Sequence, residues 1–222
     1  MYKHLAYLLI LSLCIMMPGY SQDKPAETKT DDIADSIGDK VYFETILEDF
    51  EQTVYTTEKN LQFSVTKNQE GSINMRDQYA APTGKSKKYL GVKMYAKKGD
   101  VFKIIPAKDL IIDKYCRSIA VWVYGKRFSG ELSMILQDAE QQNHRIILGT
   151  TDFLGWRKLI VKLDRKIKQE DEYLNQKRFL KILQIQYRPG NMARLPLWQY
   201  FYLDDISAMV REKYTDRQSD DW

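Results

Sequence analysis

The sequence predicts an all-β fold, a jelly-roll-like antiparallel β-sandwich with one short helix over an end. Three observations predict it. Between residues 41 and 210 the apolar side chains fall in short runs rich in Val, Ile, Tyr, Phe and Trp, the types that fit a pleated, half-buried surface. Gly, Pro, Asn and Asp punctuate those runs at short intervals, as the turns of sandwiches and jelly rolls require. No stretch in that interval sustains a long helical period.

Taken in order, the expected strands are Tyr42 to Phe50, Leu61 to Thr66, Ser72 to Arg76, Tyr89 to Tyr95, Val101 to Ile105, Ile119 to Tyr124, Glu131 to Gln137, His144 to Leu148, Arg157 to Leu163, Phe179 to Tyr187, and Trp198 to Met209. Arg165 to Lys177 is charged and free of Gly and Pro, and it is the place for the short helix. Successive strand side chains point to opposite faces. In Ile119 to Tyr124, Ile119, Val121 and Val123 therefore share one face, and Ala120, Trp122 and Tyr124 the other. Trp198, Tyr200 and Tyr202 likewise oppose Gln199, Phe201 and Leu203, and Leu183, Ile185 and Tyr187 oppose Leu180, Ile182, Gln184 and Gln186. Each of these strands has two apolar faces, whereas a two-layer sandwich buries only one face per sheet. The second face needs a cover: loops, a ligand or a neighbouring subunit.

The ends read differently. A basic start at Lys3, an apolar run from Leu5 to Met17 and small residues at Gly19 and Ser21 have the form of a signal peptide over residues 1–21. The apolar run is shorter than the roughly 20 residues of a spanning helix, and Cys14 follows Leu13 rather than the small residue of a lipobox. The chain is expected to be exported and periplasmic, with no membrane anchor. Residues 22–40 contain only Ile33 and Ile37 as large aliphatics and form a leader. Residues 211–222 form a polar tail ending in Trp222. Removal of the signal peptide leaves Cys116 as the single cysteine, so no intramolecular disulfide staples the fold. The formal net charge of +4 is small and dispersed, unlike the concentrated basic stripe that nucleic acid requires.

Catalytic signatures are sparse. His144 is the one histidine outside the signal peptide, too few for a multi-histidine metal site, and no G-x-S-x-G, Walker, dinucleotide, H-E-x-x-H or EF-hand pattern occurs. The expectation is a protein that is not an enzyme, with no cofactor. Asp49, Glu51, Asp204 and Asp205 meet at one edge if the first and last strands pair, where they suit edge protection, an oxygen-lined calcium site or a glycosidase-type pair. Trp122, Tyr124, Trp198, Tyr200 and Tyr202 form the candidate interface. Such aromatics suit either the hot centre of a protein contact or a platform for a glycan.

The ordered motifs Leu47-Glu48-Asp49-Phe50-Glu51, Tyr89 to Lys93, Ile104-Ile105-Pro106, Ile119 to Gly125, Glu131 to Asp138, Phe153 to Leu163 and Phe201 to Ile206 resemble those of the spirochaete periplasmic flagellar filament outer-layer proteins, the FlaA family. The D-F-E, G-W-x-x-L and D-D-I motifs also occur in carbohydrate-binding jelly rolls, so their shared order carries the resemblance. It implies a non-catalytic sheath subunit whose partners are the flagellin core and other sheath proteins. A periplasmic carbohydrate-binding module, structured like galactose-binding-like domains, is the alternative. One departure from the family pattern stands out: Asp164 to Arg178 has no proline and is strongly charged.

Overall fold

The computed structural model describes residues 42–64, 70–169, 179–191 and 193–212. Twelve strands and one short helix, α1 (Thr57–Asn60), make up the described fold. The strands are β1 (Phe43–Glu48), β2 (Leu61–Ser64), β3 (Glu70–Arg76), β4 (Tyr89–Ala96), β5 (Val101–Ile104), β6 (Leu110–Ile112), β7 (Tyr115–Lys126), β8 (Glu131–Gln137), β9 (Asn143–Thr150), β10 (Leu154–Lys162), β11 (Leu180–Arg188) and β12 (Leu197–Arg211). They form two antiparallel sheets. The first runs β10-β7-β12-β4-β3, with β1 also paired to β12; the second runs β2-β5-β11-β8-β9, with β6 also paired to β11. The fold is the expected all-β sandwich.

The core lies between the sheets and follows strand alternation. From the first sheet come Leu90, Val92 and Met94, then Ile119, Val121 and Val123, then Phe201, Leu203, Ile206, Ala208 and Val210. From the second come Phe102, Ile104, Leu132, Met134, Leu136, Ile185 and Tyr187. Each large apolar side chain removed from water contributes about 1.5–3 kcal/mol, so this double row is the main source of stability in a domain without a disulfide. A polar link crosses it. The buried Tyr187 hydroxyl donates to Gln199 Oε1 at 2.6 Å, and Gln199 Nε2 donates to the Ala96 carbonyl at 3.2 Å. All three groups are thereby satisfied inside the core.

Several expectations need correction. The two apolar faces read into β11 collapse onto one, because the register shifts between Ile182 and Gln184. That bulge turns the alternation over, so Leu180 and Ile182 before it and Ile185 and Tyr187 after it all face the core. Among the described residues the one helix is α1, in the loop between β1 and β2, whereas a helix was expected in the charged stretch after β10. Of that stretch, the described residues 165–169 form a turn; the rest lies outside the described residues, as do the expected signal peptide, the leader and the tail beyond 212. Within the turn, Gln169 takes over the strand-pairing role for β7 beyond the end of β10. Its Oε1 accepts from Cys116 N–H at 2.7 Å and its Nε2 donates to the Cys116 carbonyl at 2.8 Å. Strand β6 is too short, at three residues between Asp109 and Asp113, to have been anticipated.

Candidate interaction surface

The outer face of the first sheet is set by the same alternation that fills the core. With Ile119, Val121 and Val123 inward, Trp122, Tyr124 and Lys126 point outward; with Phe201 and Leu203 inward, Trp198, Tyr200 and Tyr202 do so. Register then assembles rows across the strands. One row is Trp156, Tyr124, Tyr202, Gly91 and Asn74, from β10, β7, β12, β4 and β3. Tyr124 packs edge to face on Trp156 at 5.5 Å and tilted against Tyr202 at 5.4 Å, and Tyr89 adds edge-to-face contacts to Trp156 at 5.6 Å and Tyr202 at 5.4 Å. Such pairs contribute about 0.5–1.5 kcal/mol each beyond their burial.

Cations complete the surface. Lys93 sits 4.2 Å from the Trp198 ring centre and 5.8 Å from that of Tyr200; Lys126 lies 5.6 Å and 5.3 Å from Tyr200 and Tyr202; Arg76 lies 5.8 Å from Tyr202. Gly91 makes the last contact possible. A Cβ there would come within 3.0 Å of Arg76 Cδ and Nε, so the missing side chain is the space through which the guanidinium side chain crosses toward Tyr202. Trp156 Nε1 donates to the Tyr79 carbonyl at 3.0 Å, drawing the chain after β3 over the rings. The result is a concavity of about 310 Å3 lined by Tyr79, Tyr89, Tyr124, Tyr202, Arg76 and Lys126, with no carboxylate in its wall.

The structure brings four of the five sequence-predicted residues into this aromatic band. Tyr124 and Tyr202 are at its centre, while Tyr200 and Trp198 extend it along β12, with Tyr95 5.3 Å from Trp198. Trp122 belongs elsewhere. It pairs with Lys158 and Asp204 across the sheet and lines a second concavity of about 410 Å3. Sequence reasoning missed Tyr89, Tyr95, Lys93 and Trp156. The first three alternate with inward Leu90, Val92 and Met94 in Tyr-Leu-Gly-Val-Lys-Met-Tyr, a legible signal; Trp156 escaped because its strand, expected from Arg157, starts at Leu154.

The second concavity is acidic. First and last strands do pair, with Phe43 opposite Val210 and Glu48 opposite Ile206, and Asp49, Glu51 and Asp205 meet there with Glu44, against Lys85 and Lys158. A bulge in β12 places Asp205 at φ 35°, which turns its side chain out of the ladder where the partner of β12 changes from the start of β4 to the end of β1. Burial, and then the charges of Asp49, Glu44 and Glu51, push the Asp205 carboxyl up; a hydrogen bond from Thr83 opposes them. Asp204 is fully buried behind it and accepts from Ala81 N–H at 3.1 Å, Ser86 Oγ at 2.6 Å and Asp205 N–H at 2.9 Å. Desolvation raises its pKa to about 6. Glu51 is held low despite desolvation, because the N–H groups of Lys87 and Lys88 donate to it. These carboxylates therefore clamp the 81–88 loop onto the sheet. Among the described residues no group of three or more His, Cys, Asp or Glu side chains converges as a metal-ligand set.

Glu48, in the same Leu-Glu-Asp-Phe-Glu motif, is fully buried and organises the neighbouring loop. Its carboxylate accepts from Phe50 N–H at 3.0 Å, Thr53 Oγ1 at 2.9 Å and Tyr55 Oη at 3.4 Å, with Lys108 Nζ at 3.5 Å. His144 has a comparable local task. Its Nε2 lies 2.7 Å from Asp138 Oδ2, while Asp138 Oδ1 accepts the N–H groups of Glu140 and Gln142. The pair holds the turn between β8 and β9.

Comparison with known proteins adds the family. The model of the flagellar filament outer layer protein family, FlaA, matches residues 90–217, which takes in nearly all of β4 and every strand after it. A flagellar filament outer layer-like protein of Brachyspira hyodysenteriae is 24% identical over 70 residues, covering 32% of each chain. Among solved structures, the family 11 carbohydrate-binding module of Lic26A-Cel5E from Clostridium thermocellum aligns over 78% of this chain and 98% of its own, at 11% identity and TM-score 0.44. The CBM22-2 xylan-binding domain of Xyn10C from Paenibacillus barcinonensis aligns over 76% and 98%, at 12% identity and TM-score 0.42. With more than half its length matched by the family model, the chain belongs to the FlaA family of flagellar filament outer layer proteins.

Proposed function

We propose that this protein is a non-catalytic structural subunit of the outer layer of a periplasmic flagellar filament. It packs on the flagellin core and on other sheath proteins, and it tunes filament shape or stiffness for motility. Membership of the FlaA family over residues 90–217 is the observation that carries this reading. The outer face of the first sheet supports it. A band of Trp and Tyr rings with Arg76 against Tyr202 has the composition of interface hot spots. Repetition along a filament adds many contacts of modest strength into firm retention. The buried Asp204, bonded to loop donors, is not exposed to a substrate as a general acid must be. Periplasmic flagella isolated from cells that express the protein, washed and probed for it, test the reading. Its absence from washed filaments refutes it.

A second reading, glycan binding, has one observation in its favour: the tyrosine-walled concavity beside Arg76 and Lys126. Against it, the rings spend their faces and edges on one another and on cations rather than lying open as a flat platform. Retention on a glycan array that disappears in Tyr202→Ala, with filament association unchanged, favours this second reading over the first.

A further inference from the structure

The two concavities share the outer face of the first sheet and carry opposite charge. Around Tyr202 the wall holds Arg76 and Lys126 and no carboxylate. Around Asp205 it holds four carboxylates, Glu44, Asp49, Glu51 and Asp205, against Lys85 and Lys158; Lys158 is already engaged by Glu44 at 2.6 Å. Both concavities open beside β12, and the Tyr202-to-Ser207 stretch that joins their linings spans roughly 15 Å at about 3.3 Å per residue. The row where they meet holds Lys158 and Trp122, on the wall of the acidic concavity, and Asp204, buried under the 81–88 loop. Apolar side chains flank this row in the open: Ile46 at 53% exposure, Ile160 at 61% and Tyr79 at 76%.

A face that is basic at one end and acidic at the other complements itself. We propose that this face pairs with the same face of a second copy of the chain, about a two-fold axis that lies across the strands at the level of Trp122 and Asp204. Rotation about that axis turns the second copy over, sets each basic concavity against the other copy's acidic one, and brings the two Trp122 side chains together. An isologous contact of this kind needs only one surface patch, and opposite charges in register fix its orientation. Five strands at about 4.8 Å spacing and roughly eight residues of length give on the order of 600 Å2 of projected face, near the 800 Å2 per partner of standard interfaces. The pairing rests on reading this face as an assembly surface, and it makes the dimer the unit that assembles.

Sedimentation velocity on the purified protein tests it. A dimer is expected at about 100 µM in low salt, weakening at least about tenfold as ionic strength rises toward roughly 0.5 M. Lys126→Glu and Asp49→Lys should each give monomer, and the double variant should recover the dimer. Trp122→Cys offers a check that leaves the charges alone: mild oxidation should link two chains through the new thiols, because Cys116 is buried. A protein that stays monomeric at low salt, or a double variant no better than the singles, overturns the proposal. So does a monomer whose Lys126→Glu variant no longer binds washed filaments, which assigns the basic concavity to an acidic surface of the filament. Monomer that still coats filaments refutes self-pairing alone; dimer missing from filaments refutes the filament role alone.

Discussion

Replacing Asp204 by Asn should stabilise the fold at neutral pH and do so in a pH-dependent way. The carboxyl is fully buried, and desolvation moves its pKa from 3.8 to about 6. A raised carboxyl pKa means that the folded state resists ionisation more than the unfolded one. Below pH 3.8 both states are protonated and nothing is lost. Between 3.8 and 6 the unfolded chain ionises first and stability falls; above 6 the full penalty remains. Two units correspond to about 3 kcal/mol at pH 7. Asparagine keeps one oxygen to accept from Ala81 N–H and Ser86 Oγ, and it loses the acceptor for Asp205 N–H, at a cost of about 1 kcal/mol. The net expectation is about 2 kcal/mol of added stability at pH 7, vanishing near about pH 4.5 and reversing at about pH 4. Urea unfolding of both proteins across that range measures the difference directly. A difference that does not change with pH, or an Asn variant that weakens relative to the parent as pH rises, refutes the assignment of Asp204 as a buried, reluctantly ionised acid.

Gln169→Ala orphans the buried N–H and carbonyl of Cys116 and should cost about 2–4 kcal/mol, visible in urea midpoints and as faster hydrogen exchange at the Cys116 amide. Gly130→Ala places a Cβ 2.0 Å from Tyr187 Oη, and because that ring is fully buried and stacks on Phe201 at 4.9 Å, overpacking of at least about 1–3 kcal/mol should lower the melting temperature. The Cys116 thiol, buried and pushed up to about 12, should resist Ellman's reagent in native buffer and react promptly in urea; comparable rates in both would show that the β7 end opens readily.

Much of the sandwich was legible because alternation is a local property. Ile119, Val121 and Val123 facing in and Trp122 and Tyr124 facing out follow from period two alone, and the five predicted aromatics do share one outer face. The expectation that Asp49, Glu51, Asp204 and Asp205 meet was conditional on β1 pairing β12, and that pairing is present. The failures came where one residue changes the phase. The bulge in β11 sends Leu180, Ile182, Ile185 and Tyr187 to one core, and the bulge in β12 buries Asp204 while turning Asp205 outward. Nothing in the strings Ile-Leu-Gln-Ile or Leu-Asp-Asp-Ile announces an extra residue, because a bulge is settled by what the neighbouring strands can pair with.

The sequence by itself determined the class of fold, the apolar stripes that drive the sheets together and the aromatic character of the exposed face, since each depends on residue type and spacing along one strand. Only the tertiary structure decided that Trp122 stands apart from Tyr124 and Tyr202, that Arg76 reaches Tyr202 through the space left by Gly91, and that basic and acidic concavities lie side by side. Those placements depend on strand order and cross-strand register, which bring together residues more than a hundred positions apart.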